Sequence, residues 1–294
     1  MDMHAPLALK LYAHSLQQLH DPSWTGCELY DRLKGHLRGR SEPVDLLRKT
    51  LPNGLLYHLG LWSYEEYVLD DEFILSLEGE YRTWYLEDLA GAILALGARE
   101  NQKAVQDVVR RLQSIWELYE NDECAYFEYL KSSSGADELH RANVALIAAN
   151  RKRLVAAMPL YAADYADRVF HDRQLCEHIA ETVVLVGFDG GHLADEEEEP
   201  RQWVERRAWP EWAKEAVRAR DRGKCAACGV DIISELEGAE NFDHIVPLAQ
   251  GGNNDLVNLQ LLCVACNRKK SAKRVGVASS VPPYISRRIH TRGK

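Results

Sequence analysis

The sequence predicts a mainly α-helical N-terminal domain, followed by a small α+β module that four cysteines staple around one metal ion. Three observations predict it. Apolar residues recur at three- and four-residue steps through most of residues 1–186, the spacing of one helix face. A glycine- and glutamate-rich stretch then interrupts the pattern between Gly187 and Pro200. Beyond it, two Cys-x-x-Cys pairs, Cys225/Cys228 and Cys263/Cys266, bracket two short strand patterns and a helix with a basic face.

The helices follow in order. Leu7 to Leu19 carries apolar residues at helical spacing, Asp21-Pro22-Ser23 breaks it, and Trp24 to Leu37 resumes it. Ser41-Glu42-Pro43 is a helix start, with a capping residue and a proline in the first turn. Pro52-Asn53-Gly54 signals a turn. Tyr57, Trp62, Tyr64, Tyr67, Phe73, Tyr81, Trp84 and Tyr85 then crowd one segment. Bases stack on such groups in single-strand binders, but the abundant Asp and Glu here repel phosphate, so core packing is the better reading. Val105, Val108, Val109, Leu112, Ile115, Trp116 and Tyr119 describe a strongly amphipathic helix. Lys131 to Gly135 reads as a flexible connection, Asp137 to Ala157 as a helix that Met158-Pro159 interrupts, and Tyr161 to Val186 as its continuation. His171 and His178, near Asp172 and Glu177, are read as a solvated helix face with no chemical role.

Gly187 to Pro200 holds three glycines, four consecutive glutamates and a proline, too little apolar surface to order itself, and reads as a linker. The domain boundaries that follow are 1–186 for the helical domain, 187–202 for the linker, 203–274 for the module and 275–294 for a flexible basic tail.

Charge divides at the same place. From Arg201 to Lys294 there are 17 Lys+Arg against 10 Asp+Glu, a balance of +7, which leaves −16 on the preceding 200 residues. An acidic body joined to a basic end points to nucleic acid as the partner of the end module. No apolar run approaches the ~18 residues that cross a bilayer, and Met1-Asp2-Met3-His4-Ala5-Pro6 lacks the basic start and apolar core of a signal peptide. Cytoplasmic residence is the expectation. In that reducing setting, paired cysteines bind metal rather than form disulfides. Cys27, Cys124 and Cys176 stand alone and are read as small buried apolar side chains.

Inside the module, Trp203 to Arg222 is mostly helical, and Pro210 opens a second helix that delivers Asp221-Arg222-Gly223 to the first cysteine pair. Four thiolates in two close pairs make a closed tetrahedral zinc site, with no position open for chemistry. A thioredoxin-like redox role would need a βαβ unit, which is missing, and would leave the second pair unexplained. Phe242 to Pro247 and Leu259 to Leu262 are strands, Gly251-Gly252-Asn253-Asn254-Asp255 is a loop, and Cys263 to Arg274 is a helix. The chemistry falls to what lies between and just after the cysteines: Asp243, His244, Asn258 and Asn267.

Asp243-His244-Ile245-Val246-Pro247, Gly251-Gly252, Asn258-Leu259-Gln260-Leu261-Leu262-Cys263 and Cys266-Asn267-Arg268-Lys269-Lys270 together resemble the HNH, or ββα-metal, nuclease family. The resemblance covers about a sixth of the chain and leaves the first 200 residues unassigned. It implies a metal-dependent endonuclease acting on nucleic acid, double-stranded DNA foremost, with genome defence in prokaryotes as a setting. His244 would be the general base, since a neutral imidazole titrates near physiological pH. Asp243, pointing to the opposite side of the strand, and Asn267 would hold the catalytic divalent ion, and Asn258 would orient His244. The family more often has histidine where this chain has Asn267. The Asp/Asn pair of oxygen donors favours Mg2+ or Mn2+ over a tightly held catalytic Zn2+. Arg268, Lys269, Lys270 and Lys273 would contact phosphates. Two further readings are a zinc-stapled DNA-binding module without catalysis, and a helical scaffold that binds a protein partner or itself, with the nuclease as its output. The complete Asp-His, Asn and Asn set argues against a pure binder, which needs only cysteines and basic residues.

Overall fold

The computed structural model describes residues 33–35, 37, 46–186, 188–189, 192–193, 204–233 and 240–270. It is mainly helical, with a small antiparallel sheet near the C-terminal end. The described residues form two compact units, one from Leu59 to Tyr165, the other from those before Leu59 together with those from Ala166 onward. No helix among them is long and apolar enough to cross a membrane.

The first unit is all helix. α1 (Leu55–Tyr64), which also supplies residues to the second unit, leads through a π-turn at Glu65–Leu69 into α2 (Phe73–Ser76), α3 (Tyr81–Ala95), α4 (Lys103–Asn121), α5 (Glu123–Lys131) and α6 (Ser133–Phe170). In α4 the residues at helical spacing divide by face: Val105, Val108, Leu112 and Ile115 are buried, while Val109, Trp116 and Tyr119 are exposed. The aromatic group is divided too. Trp62 and Tyr64 are core, and Tyr81 and Trp84 are on the surface. Lys131 to Gly135 is a tight junction instead of a flexible one: Ser132 alone separates the helices, and its Oγ accepts from Gly135 N at 2.9 Å, capping α6. Nor does Met158-Pro159 interrupt anything, because α6 runs through Pro159.

The second unit holds the C-terminal module and the segments around it. α7 (Arg173–Leu185) begins at Asp172, whose carboxylate accepts from Leu175 N at 3.0 Å, and it buries Leu175, Cys176, Ile179 and Val183. Within the expected linker, β1 (Phe188–Asp189) pairs with β2 (His192–Leu193), and Glu196–Glu199 lie outside the described residues. α8 (Glu211–Arg220) starts at Pro210. β3 (Glu240–His244) pairs antiparallel with β4 (Leu259–Cys263) in a register that sets His244 opposite Leu259 and Asp243 opposite Gln260. α9 (Val264–Lys270) follows without a break. Ala180, Val184 and Val246 pack α7 against the chain just after β3.

A buried ionic bolt joins these elements. Asp221, at the C-terminus of α8, accepts from Arg173 Nε at 2.8 Å, from Arg220 Nε at 2.7 Å and from Leu261 N at 2.9 Å. Arg220 donates onward to Leu259 O at 2.6 Å and lies over the Phe170 ring. Arg218 grips Glu240 with two parallel bonds, at 2.8 and 2.9 Å, fixing the start of β3 to α8. Of the lone cysteines, Cys27 lies outside the described residues, Cys176 is buried as expected of a small core residue, and Cys124 is exposed.

Candidate active site

The four paired cysteines converge. Their sulfurs all lie within 4.8 Å of one another, and Cys228 Sγ is 3.9 Å from Cys263 Sγ. Tetrahedral zinc with Zn–S near 2.3 Å spaces its sulfurs by about 3.8 Å, so the residues fit the ion. Local structure puts them there. Gly229, at φ 73°, closes the first turn by donating to Cys225 O at 2.8 Å, and Ala226 N donates to Leu261 O at 2.8 Å, tying that turn to β4. Cys266 N points at Cys263 Sγ at 3.4 Å. Burial opposes ionisation of Cys225, but the backbone N–H groups around its sulfur outweigh it and bring the thiol down to about 7. The cysteine cluster lies at the base of the hairpin, and a zinc held there would leave the chemistry to the strands and α9.

Two periodicities arrange the next layer. Alternate side chains of a strand share a face, and so do helix residues three apart. Asn241 and Asp243 on β3 meet Asn267 and Lys270 on α9: Asn267 Nδ2 donates to Asn241 Oδ1 at 3.2 Å, and Lys270 Nζ donates to Asp243 Oδ2 at 2.7 Å. Lys270 is thus not available for the phosphate contact expected of it. Its side chain is 0% exposed and neutralises the carboxylate expected to hold a divalent ion. Arg268 and Lys269 do face solvent, and Lys273 lies outside the described residues. The oxygen donors on this face, the Asp243 carboxylate and the Asn267 amide oxygen, are of the hard type that Mg2+ and Mn2+ take.

His244 makes its contacts elsewhere. It is fully buried; its ring lies 5.1 Å from that of Trp209, and its Nε2 is 3.1 Å from Asn254 Oδ1. Burial drives its pKa down to about 4, against the opposing pull of Asn254 and Asp243, so the imidazole is neutral at physiological pH. Nδ1 is buried with no hydrogen-bond partner, and so is Nε1 of Trp209.

Asn258 gives its side-chain hydrogen bonds to the backbone and none to the imidazole, contrary to the role expected of it. Its Oδ1 accepts from Val246 N at 2.7 Å, and its Nδ2 donates to Val246 O at 3.1 Å and Asn253 O at 2.8 Å. With Ile245 N donating to Asn258 O at 2.6 Å, this continues the ladder past the end of β3 and locks the loop beyond His244. The loop needs both its glycines: Gly251 has φ 81°, and a Cβ on Gly252 would run into Val246 O and Pro247 O. The residue that does reach His244 is Asn254. Sequence reasoning placed it in a loop and gave it no role, although the run Gly251-Gly252-Asn253-Asn254-Asp255 carries more amide and carboxylate groups than a turn requires.

Residues 225–273 match the HNH endonuclease family, which agrees with the site built above: a nuclease-type hairpin and helix, with a four-cysteine cluster of zinc type. Neither a curated protein nor a solved structure matches the chain.

Proposed function

We propose that the chain is a metal-dependent endonuclease that hydrolyses phosphodiester bonds, with double-stranded DNA as substrate and His244 as general base. The observation that carries this reading is a buried imidazole, held at Nε2 and unpartnered at Nδ1, one residue from a carboxylate on the opposite face of the same strand. In the reaction a water attacks phosphorus and gives its proton to His244 Nδ1, while the bond from phosphorus to the leaving sugar oxygen breaks. A divalent ion on Asp243 and Asn267 would neutralise charge on the phosphoryl and leaving oxygens. Burial holds His244 in its neutral, proton-accepting form, and an incoming phosphate, with the charge that develops on it, raises the basicity of the ring. Since Nδ1 is buried, the residues that cover it must shift for water and substrate to reach it, with Trp209, whose ring lies 5.1 Å from the imidazole, a candidate to move. Arg268 and Lys269, exposed on α9, supply charge for the phosphate backbone.

The second reading, a zinc-stapled binding module without catalysis, draws support from the Lys270–Asp243 pair, since the carboxylate already has its cation. Plasmid cleavage by zinc-loaded protein in Mg2+ or Mn2+ separates the two. Parent protein that nicks or linearises plasmid, beside a His244→Ala variant that binds DNA but does not cut it, supports the nuclease. Binding without cleavage in every ion tested supports the module.

A further inference from the structure

Asn254 makes five hydrogen bonds, and three of them run to a distant part of the chain. Its N–H donates to Leu47 O at 2.8 Å, and its carbonyl accepts from Thr50 Oγ1 at 2.7 Å. The two hydrogens of its side-chain amide go to Arg48 O at 3.0 Å and Glu205 O at 2.8 Å. Its Oδ1 meets His244 Nε2. Asp255, next in sequence, repeats the pattern: it accepts from Leu55 N and from Val257 N, each at 2.9 Å, with Gly54 so close that a Cβ there would strike its carboxylate. Asn254 and Asp255 are both buried, and their partners in residues 47–55 stand 200 or more positions earlier in the sequence.

The protonation follows from this geometry. Two carbonyls are acceptors only, so the Nδ2 group must face them and Oδ1 must face the imidazole. An amide oxygen is also only an acceptor, so His244 Nε2 must carry the ring proton and Nδ1 must hold the lone pair. We propose that Asn254 is the positioning residue of His244, and that residues 47–55 are a built-in part of the nuclease site, a latch that holds Asn254 so that Nδ1 is the basic atom. The latch claim rests on the reading of His244 as general base. The ring without Asn254 can take either tautomer and can rotate, and only one arrangement presents a lone pair to the water. The hairpin is therefore not a self-sufficient nuclease: the segment ahead of α1 completes it, and any event that draws residues 47–55 away disarms the base.

The test uses full-length, zinc-loaded protein and reads the imidazole nitrogens of His244 by long-range nitrogen–proton NMR, assigned by difference against His244→Ala, together with plasmid cleavage. The parent is expected to show the Nε2–H tautomer alone. Asn254→Ala should show a mixture and lose ~10²- to 10⁴-fold in cleavage rate, the range general-base catalysis contributes, while keeping its zinc. Thr50→Val, nearly isosteric, removes one latch bond and leaves the imidazole contact in place. It should slow cleavage about fivefold, the equivalent of one ordinary hydrogen bond. An Asn254→Ala protein that keeps the single tautomer, or cleaves within threefold of the parent, overturns the proposal. Should Asn254→Ala lose its zinc or fail to melt cooperatively, Thr50→Val decides, and parental rate with parental tautomer in that variant overturns the latch. Unimpaired cleavage by His244→Ala refutes the catalytic reading instead, and the tautomer measurement still reports whether Asn254 positions the ring.

Discussion

Lys270→Met is the most informative single change outside the zinc site. In the parent an ammonium and a carboxylate lie 2.7 Å apart, with side chains 0% and 11% exposed. At an effective dielectric constant near 20 their attraction is about 6 kcal/mol, which the desolvation of both charges largely offsets. Methionine fills much of the same volume but leaves Asp243 beneath α9 without a cation, and removal of one partner of a buried pair costs ~3–5 kcal/mol. Urea unfolding in ion-depleted buffer without chelator, which leaves thiolate-bound zinc in place, should show a loss of this size in the transition of the second unit. Mg2+ or Mn2+ should then act differently on the two proteins. In the variant the ion meets a bare carboxylate, and at 100 times its dissociation constant it returns about 2.7 kcal/mol. In the parent it must first displace Lys270, so the same concentration returns less. Equal stability of parent and variant without divalent ions, or equal stabilisation of both by the ion, refutes the argument that Lys270 holds the place of a metal.

Three further outcomes are expected. Purified protein should carry one tightly held zinc; Cys263→Ser should lose it and unfold the module at lower urea, whereas exposed Cys124→Ser should change neither, as metal analysis and melts will show. Burial raises Asp255 from 3.8 to about 6, so the folded state binds its proton more tightly than the unfolded chain, and this contribution to stability grows as pH falls through 6 toward 4 and is lost as pH rises. Asp255→Asn does not titrate, so the stability of the parent relative to the variant should increase by about 2 kcal/mol between pH 7 and pH 4; a constant difference in urea melts across that range refutes it. Arg220→Met should cost about 3 kcal/mol by denaturation, because it leaves Asp221 with only part of its charge compensation and Leu259 O without its donor.

What the sequence disclosed was set by periodicity and spacing, and what it concealed was set by partners distant in the chain. The cysteine pairs, β3, β4 and α9 follow from local pattern, and the same pattern contains the Asn241–Asn267 and Asp243–Lys270 rungs: a strand repeat of two set against a helix repeat of three. Lys270 was nonetheless read as a phosphate contact, because a basic run gives no sign of which of its members turns inward until the facing carboxylate is known. Pro159 was read as a break because proline removes a helical hydrogen bond, but tertiary packing on both sides of it, at Leu154 and Tyr161, holds α6 together across the gap. Ser132 was read as part of a flexible run because three serines and a glycine suit a linker as well as they suit a cap.

Asn254 shows the limit most sharply. Its neighbours in sequence, Asn253 and Asp255, are just as polar and just as buried, and its partners Leu47, Arg48 and Thr50 contribute backbone carbonyls or a single hydroxyl. A carbonyl has no residue identity, so no spacing rule can point to it. What remains legible is an excess: a turn made by two glycines has no need of three consecutive amide and carboxylate side chains. Polar groups beyond the requirement of a turn must be satisfied by something when they are buried. Here Asn254 and Asp255 find their partners in residues 47–55, and Asn254 Oδ1 meets His244. Under the proposed latch the segment ahead of α1 would serve the chemistry although nothing in its own sequence is chemical.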